Sequence, residues 1–121
     1  MKSIIKFCFL LLLFFFISCS SPIDPLENAL SFKSMNNKLV VTNNTGETLF
    51  LFAIQRGTAA SVNWAPHFND PKVLKYNIAI IEYKDIFYGD KTVKSGDEVI
   101  VYYWDDSNKS KPNIYSKVVV L

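Results

Sequence analysis

The apolar residues of this chain fall in short runs of β-branched, aliphatic and aromatic side chains, separated by clusters of Asn, Gly and Pro. That spacing favours strands over helices from residue 30 onward. Leu30-Ser31-Phe32 and Lys38-Leu39-Val40-Val41-Thr42 are short alternating runs rich in strand formers. Asn43-Asn44-Thr45-Gly46 is a dense turn cluster. Thr48 to Ile54 follows and is apolar on both faces, with Leu49, Leu51 and Ala53 on one and Phe50, Phe52 and Ile54 on the other. A helix is the rival reading of that run, but its aromatic content and flanking turns predict a central strand covered on both sides. A loop containing Gly57, Pro66 and Pro71 spans Arg56 to Lys72. Val73 to Tyr83 then supplies one or two strands, and Tyr88-Gly89-Asp90 breaks the pattern. Ser95-Gly96-Asp97 turns the chain into the run Glu98 to Trp104. A polar loop from Asp105 to Asn113 leads to a closing strand, Ile114 to Leu121.

These signals predict an all-β domain over residues 30–121, an antiparallel sandwich of about seven strands. The last two strands and their loop resemble the final hairpin of immunoglobulin-like sandwiches, a likeness of pattern over about 30 residues. The Cys–Trp–Cys hallmark of antibody domains is absent, so the resemblance implies the broader sandwich class. A small barrel or another Greek-key order is the alternative.

The beginning of the chain carries an address. Lys2 and Lys6 flank an uninterrupted apolar run from Phe7 to Ile17. A membrane-spanning helix needs about 20 apolar residues, so this run is too short to cross a bilayer, but it suits the hydrophobic region of a secretory signal. Residues 1–18 are therefore expected to be a cleaved signal peptide. Phe16-Ile17-Ser18-Cys19 resembles the lipobox of bacterial lipoproteins, with Phe16 standing where Leu is usual. The resemblance implies cleavage before Cys19, attachment of diacylglycerol to its thiol, and acylation of its amine. One acyl chain supports an association constant of only about 10⁴ M⁻¹, whereas two or three would hold the domain firmly to a membrane. Residues 19–29 then form a short lipidated tether, in which Asp24-Pro25-Leu26-Glu27 has the features of a single helical turn. Ser20, rather than Asp, after the lipidated cysteine implies the outer membrane in a host that has one.

Processing changes what composition says. Loss of Lys2 and Lys6 takes two from the 13 basic residues and leaves 11 against 11 acidic ones, a formally neutral chain of 103 residues. Neutrality argues against nucleic-acid binding, which depends on Lys and Arg neutralising phosphates, and against an electrostatic grip on anionic headgroups. Cys8 leaves with the signal, so Cys19 has no partner, and neither a disulfide framework nor a cysteine-based zinc site is expected.

No catalytic grouping emerges. His67 is the only histidine and lies outside any Gly-x-Ser-x-Gly turn; its plainest reading is a solvated loop side chain. Asp105, Asp106 and Asn108 are rich in oxygen but lack the spacing of a calcium loop. Glu82 and Asp85, considered as a glycosidase pair, would point in different directions at the end of a strand. Neither enzyme activity nor a metal or cofactor is expected. The informative residues are aromatic. If Thr48–Ile54 is the second strand and Val99–Trp104 the sixth, the loops that follow them leave the same end of the sandwich. They would then present Trp64, His67 and Phe68 beside Trp104, Asp105 and Asp106 as a binding patch. The alternative places Trp64 and Trp104 inward, capping the core. The expected function is a non-catalytic binding or accessory module, lipid-anchored in the cell envelope and engaging a protein or glycan. A structural part of an envelope complex and an inhibitor of an incoming hydrolase are the alternatives.

Overall fold

The computed structural model describes residues 26–121. The signal segment, Cys19 and the tether up to Pro25 lie outside the described residues.

Among the described residues, seven strands form two antiparallel sheets packed face to face, as the strand signals predict. They are β1 (Leu30–Met35), β2 (Lys38–Asn43), β3 (Leu49–Gln55), β4 (Lys72–Val73), β5 (Ile78–Glu82), β6 (Glu98–Trp104) and β7 (Tyr115–Val120), with a short α-helix, α1 (Arg56–Ala59), after β3 and a 3-10 turn (Tyr83–Asp85) after β5. One sheet has the order β1-β2-β5 and the other β4-β3-β6-β7. Val73–Tyr83 does divide into two strands, and they belong to different sheets.

Local chemistry sets the turns. Asn36 and Asn37 both take positive φ (51° and 59°) between the paired residues Met35 and Lys38. This is the backbone of a tight two-residue hairpin, a conformation that Asn tolerates better than most residues. Gly96, at φ 94°, donates its N–H to Leu121 O (2.6 Å), and Leu121 N–H returns to Asp97 O (2.9 Å). The turn that launches β6 is thereby tied to the residue following β7.

The core lies between the sheets. Leu39, Val41 and Ile81 from one sheet meet Leu49, Leu51, Ala53, Val99, Val101 and Tyr103 from the other, with Ala29, Ile86 and Val93 filling the ends. Leu26 also packs against this core, so the last residues read as tether form a turn seated on the sandwich. Tyr103 Oη donates to Leu26 O (2.7 Å) and Glu27 O (3.0 Å), holding that turn at one end.

Among the described residues, Asn43 is the one polar residue in the buried set. Its Nδ2 donates to Glu47 O (2.6 Å), Val73 O (3.2 Å) and Leu74 O (3.2 Å). Its Oδ1 accepts from Thr45 N–H (2.9 Å) and Thr45 Oγ1 (2.7 Å). One side chain thus closes its own turn and joins the end of β2 to β4 in the opposite sheet.

Both sheets have open edges. The bonds Asn43 N–H to Asn77 O and Tyr83 N–H to Asn37 O fix the phase of β5. By the alternation of an antiparallel ladder, Ile78, Ile80 and Glu82 turn their backbone groups away from β2. The side chains of Ile78 and Ile80 are 61% and 60% exposed on the outer face. The same argument, phased by the Leu121 bonds, leaves Ser116, Val118 and Val120 of β7 with outward backbone groups.

Candidate binding face

The two apolar faces of β3 are used separately. Leu49, Leu51 and Ala53 enter the interlayer core, while Phe50, Phe52 and Ile54 point out of the sandwich. Register places Phe50 opposite Trp104, Phe52 opposite Tyr102 and Ile54 opposite Ile100, giving an apolar outer face on the four-stranded sheet.

A roof covers part of that face. Gln55 caps α1 through Oε1, which accepts from Thr58 N–H and Thr58 Oγ1 (both 2.8 Å), and Arg56 pairs with Glu98 on the neighbouring strand. The chain then doubles back along the sheet. Trp64 stacks on Phe52 (centroids 4.8 Å apart, planes at 26°) and contacts Tyr102 (4.8 Å) and Trp104 (5.5 Å). Trp104 Nε1 donates to His67 O (2.8 Å), and the His67 ring meets the Trp104 ring edge-on at 5.4 Å. Phe68 meets Phe50 edge-on at 5.4 Å, and Leu51 N–H donates to Pro71 O (3.0 Å). Lys109 Nζ lies 5.5 Å over the Phe68 ring, bringing the 105–113 loop against the roof.

This geometry corrects the predicted route to the patch. Leu49–Gln55 is the third strand and lies antiparallel beside β6, so the loops after β3 and β6 leave opposite ends of the sheet. Trp64 and His67 nevertheless reach Trp104, and Phe68 reaches Phe50, because their loop folds back over the outer face. Trp104 is fully buried and Trp64 half-buried, but both lie outside the interlayer core. His67 is not a solvated side chain: it is half-buried, and its Nδ1 is enclosed without a hydrogen-bond partner. Asp105 and Asp106 follow Trp104 into the 105–113 loop, the first half-buried and the second exposed. Asp105 Oδ1 accepts from Ser107 Oγ (2.8 Å), and Asn108 Oδ1 accepts from Ser110 Oγ (2.9 Å), so these oxygens are used in side-chain turns. Among the described residues no three His, Cys, Asp or Glu side chains gather as a metal site.

The accessible aromatics run beside the roof. Phe87 continues the sheet past Ile54 through Phe87 N–H to Ala53 O (3.0 Å) and Gln55 N–H to Phe87 O (2.9 Å). Its ring, 43% exposed, lies 6.4 Å from Phe52, which lies 6.4 Å from Tyr102. Phe87, Phe52, Trp64 and Tyr102 thus make one partly exposed aromatic band. A groove of about 340 Å³ opens beside it, lined by Phe52, Phe87 and the buried Ala53 and Ile86, with the exposed Lys84 and Asp85. Sequence reasoning missed Phe52 and Phe87 as site residues. The one available signal was the adjacent pair Phe87-Tyr88 just before the Gly89 turn.

The two tryptophans are separable by quenching. With acrylamide, the emission of Trp64→Phe, which reports Trp104, is expected to be protected, and that of Trp104→Phe, which reports Trp64, to be quenched several-fold more strongly. Equal protection of both indoles would remove Trp64 from the accessible band.

Comparison with known proteins returns no match: no family model, curated protein or solved structure is significantly similar to this chain.

Proposed function

We propose that this protein is a lipid-anchored, non-catalytic binding module of the cell envelope, and that it engages a protein or glycan through the outer face of its four-stranded sheet. The observation that carries the reading is the partly exposed band of Phe87, Phe52, Trp64 and Tyr102 beside a groove with polar groups. Flat aromatic faces flanked by Lys and Asp suit sugar rings or apolar peptide side chains, and aromatic anchors commonly dominate such contacts. The anchor rests on the signal-like segment and on Cys19 in its lipobox-like setting.

The open edges of β5 and β7 support a second reading, a structural subunit joined to its complex by strand pairing. Crosslinking of the intact, C-terminally tagged protein in its native envelope, followed by mass spectrometry of captured partners, separates the two. Crosslinks from Phe87 or Trp64, abolished in Phe87→Ala, support the binding face. Crosslinks confined to Ile78–Glu82 or Ser116–Val120 in a stoichiometric complex support the structural reading and count against the first. The anchor is checked on its own by Cys19→Ala, which is expected to release the protein from the membrane fraction and abolish acylation. Unchanged fractionation and mass would end the lipoprotein reading.

A further inference from the structure

The end of the sandwich that holds Leu26 carries several exposed apolar side chains. The Leu26–Asn28 turn is held there by Tyr103 Oη, and the next residue, Ala29, accepts Asn44 N–H (2.9 Å). Asn44 belongs to the same turn as Thr45, whose carbonyl accepts Tyr76 N–H (3.0 Å). Three segments therefore share this end: the 44–48 turn, the 74–77 turn and the 105–114 loop. Leu74 is 51% exposed and Tyr76 74%, with the exposed Lys75 between them, and Ile114, 45% exposed, lies at the other edge of the same sheet. Tyr76 also sits at φ 52°, a backbone region that bulky side chains rarely occupy. Its ring lies over Gly46, within 3.4–3.8 Å of where a Cβ would stand there, so one side of the ring packs on the 44–48 turn and the rest is left to solvent.

We infer that the Leu74–Asn77 turn rests in the interfacial layer of the membrane that holds the anchor. The inference depends on the proposed lipidation of Cys19 and deepens that reading. Only Ser20 to Pro25 separate Cys19 from Leu26. Fully extended, the seven steps from Cys19 to Leu26 span about 25 Å. A seven-residue strand is itself about 23 Å long, so turning the far end of the sandwich to the bilayer would require the tether to run the domain's whole length. A shorter or less extended tether leaves the end holding Leu26 as the one within reach of the lipid. Tyr suits the headgroup boundary because its ring is apolar and its hydroxyl is polar, and Lys side chains lay apolar stems along that boundary with the ammonium in water. Charge contributes little, because Glu27, Glu47, Asp105 and Asp106 offset Lys75, Lys109 and Lys111 at the same end, so the contact holds at high salt.

The test uses the acylated protein on vesicles of phosphatidylethanolamine and phosphatidylglycerol containing doxyl-labelled lipid. Cys8 has left with the signal and Cys19 is thioether-linked, so Lys75→Cys and Lys94→Cys each supply a single free thiol for an environment-sensitive dye. Lys75 marks the tether end and Lys94 the opposite end. Lipid quenching is expected to be several-fold stronger at 75 than at 94. It should be lost when Leu74→Ser and Tyr76→Asn are added, while the protein still pellets with the vesicles; Asn keeps the backbone geometry accessible. Pelleted protein with equal quenching at both positions overturns the contact and leaves the anchor standing. Dye burial at 75 in native envelopes but not on pure lipid assigns the turn to a protein partner and also overturns it. Protein that neither pellets nor carries acyl mass fails the anchor reading first, and this one with it.

Discussion

Trp104→Ala is expected to lower the unfolding free energy by about 3–5 kcal/mol, the range for deleting a large aromatic from a well-packed site. Its indole is fully buried between β3 and the returning loop, touching Trp64 and His67 and donating to His67 O. Truncation leaves a cavity and strips that carbonyl of its donor. It also frees the 60–71 segment, so a second effect should appear: protease cleavage between Ser61 and Asn69 before global unfolding. Trp104→Phe keeps most of the ring contact and loses the hydrogen bond, and should cost clearly less. Chemical denaturation of the three proteins checks the order. A Trp104→Ala protein as stable as the parent would mean that the roof contributes nothing to the fold.

Asn43→Asp should be comparably damaging although it removes no volume. Three carbonyl oxygens, those of Glu47, Val73 and Leu74, converge on Nδ2. A carboxylate there would put an acceptor against acceptors and strand a buried charge, a fault that costs about 3–5 kcal/mol. The sign of its pH dependence follows from burial. Desolvation and the facing carbonyls raise the folded-state pKa of the introduced carboxyl above its unfolded value. The variant's stability therefore falls as pH rises through the carboxylate range and is partly regained in acid, where the protonated group donates again. Asn43→Ala, which loses the donor without adding charge, should cost about 1–3 kcal/mol with no such recovery. Denaturant titrations at acid and neutral pH distinguish the two. A flat difference between Asn43→Asp and Asn43→Ala across pH would show that the carbonyl cluster is not what Asn43 serves.

The strands were legible because sheet burial leaves a local trace. Thr48–Ile54 shows two apolar sets, and the structure uses both, one in the core and one under the roof. Turns were legible where Gly or clustered Asn marked them. The break between β4 and β5 carries neither Gly nor Pro, since Tyr76 takes the positive-φ position itself, so Val73–Tyr83 left one strand or two open. The Asn36-Asn37 hairpin does carry a local signal, two Asn between strand-forming runs. The binding face was only half legible. That Trp64 and His67 meet Trp104 could be anticipated from their aromatic character, but the reason differs. Which end a loop leaves depends on which strands are neighbours, and the β3–β6 pairing is made by residues far apart in sequence. No local pattern reports it, and so Phe52 and Phe87 could not be recognised as parts of one band.

That distant pairing has a consequence for how the molecule comes into being. β3 reaches its hydrogen-bonding partner 44 to 54 residues later, from Gln55 with Val99 to Phe50 with Trp104. A chain emerging from its N-terminus therefore presents Leu49–Ile54, apolar on both sides, well before β6 exists to receive it. Pairings of such long range are slow to close, and an unpaired apolar strand is prone to join another chain in the meantime. The returning 60–71 loop is the first part available to shelter it, since its aromatics follow β3 within about 15 residues. The same segment that builds the outer face is thus placed to act during synthesis as the strand's own chaperone.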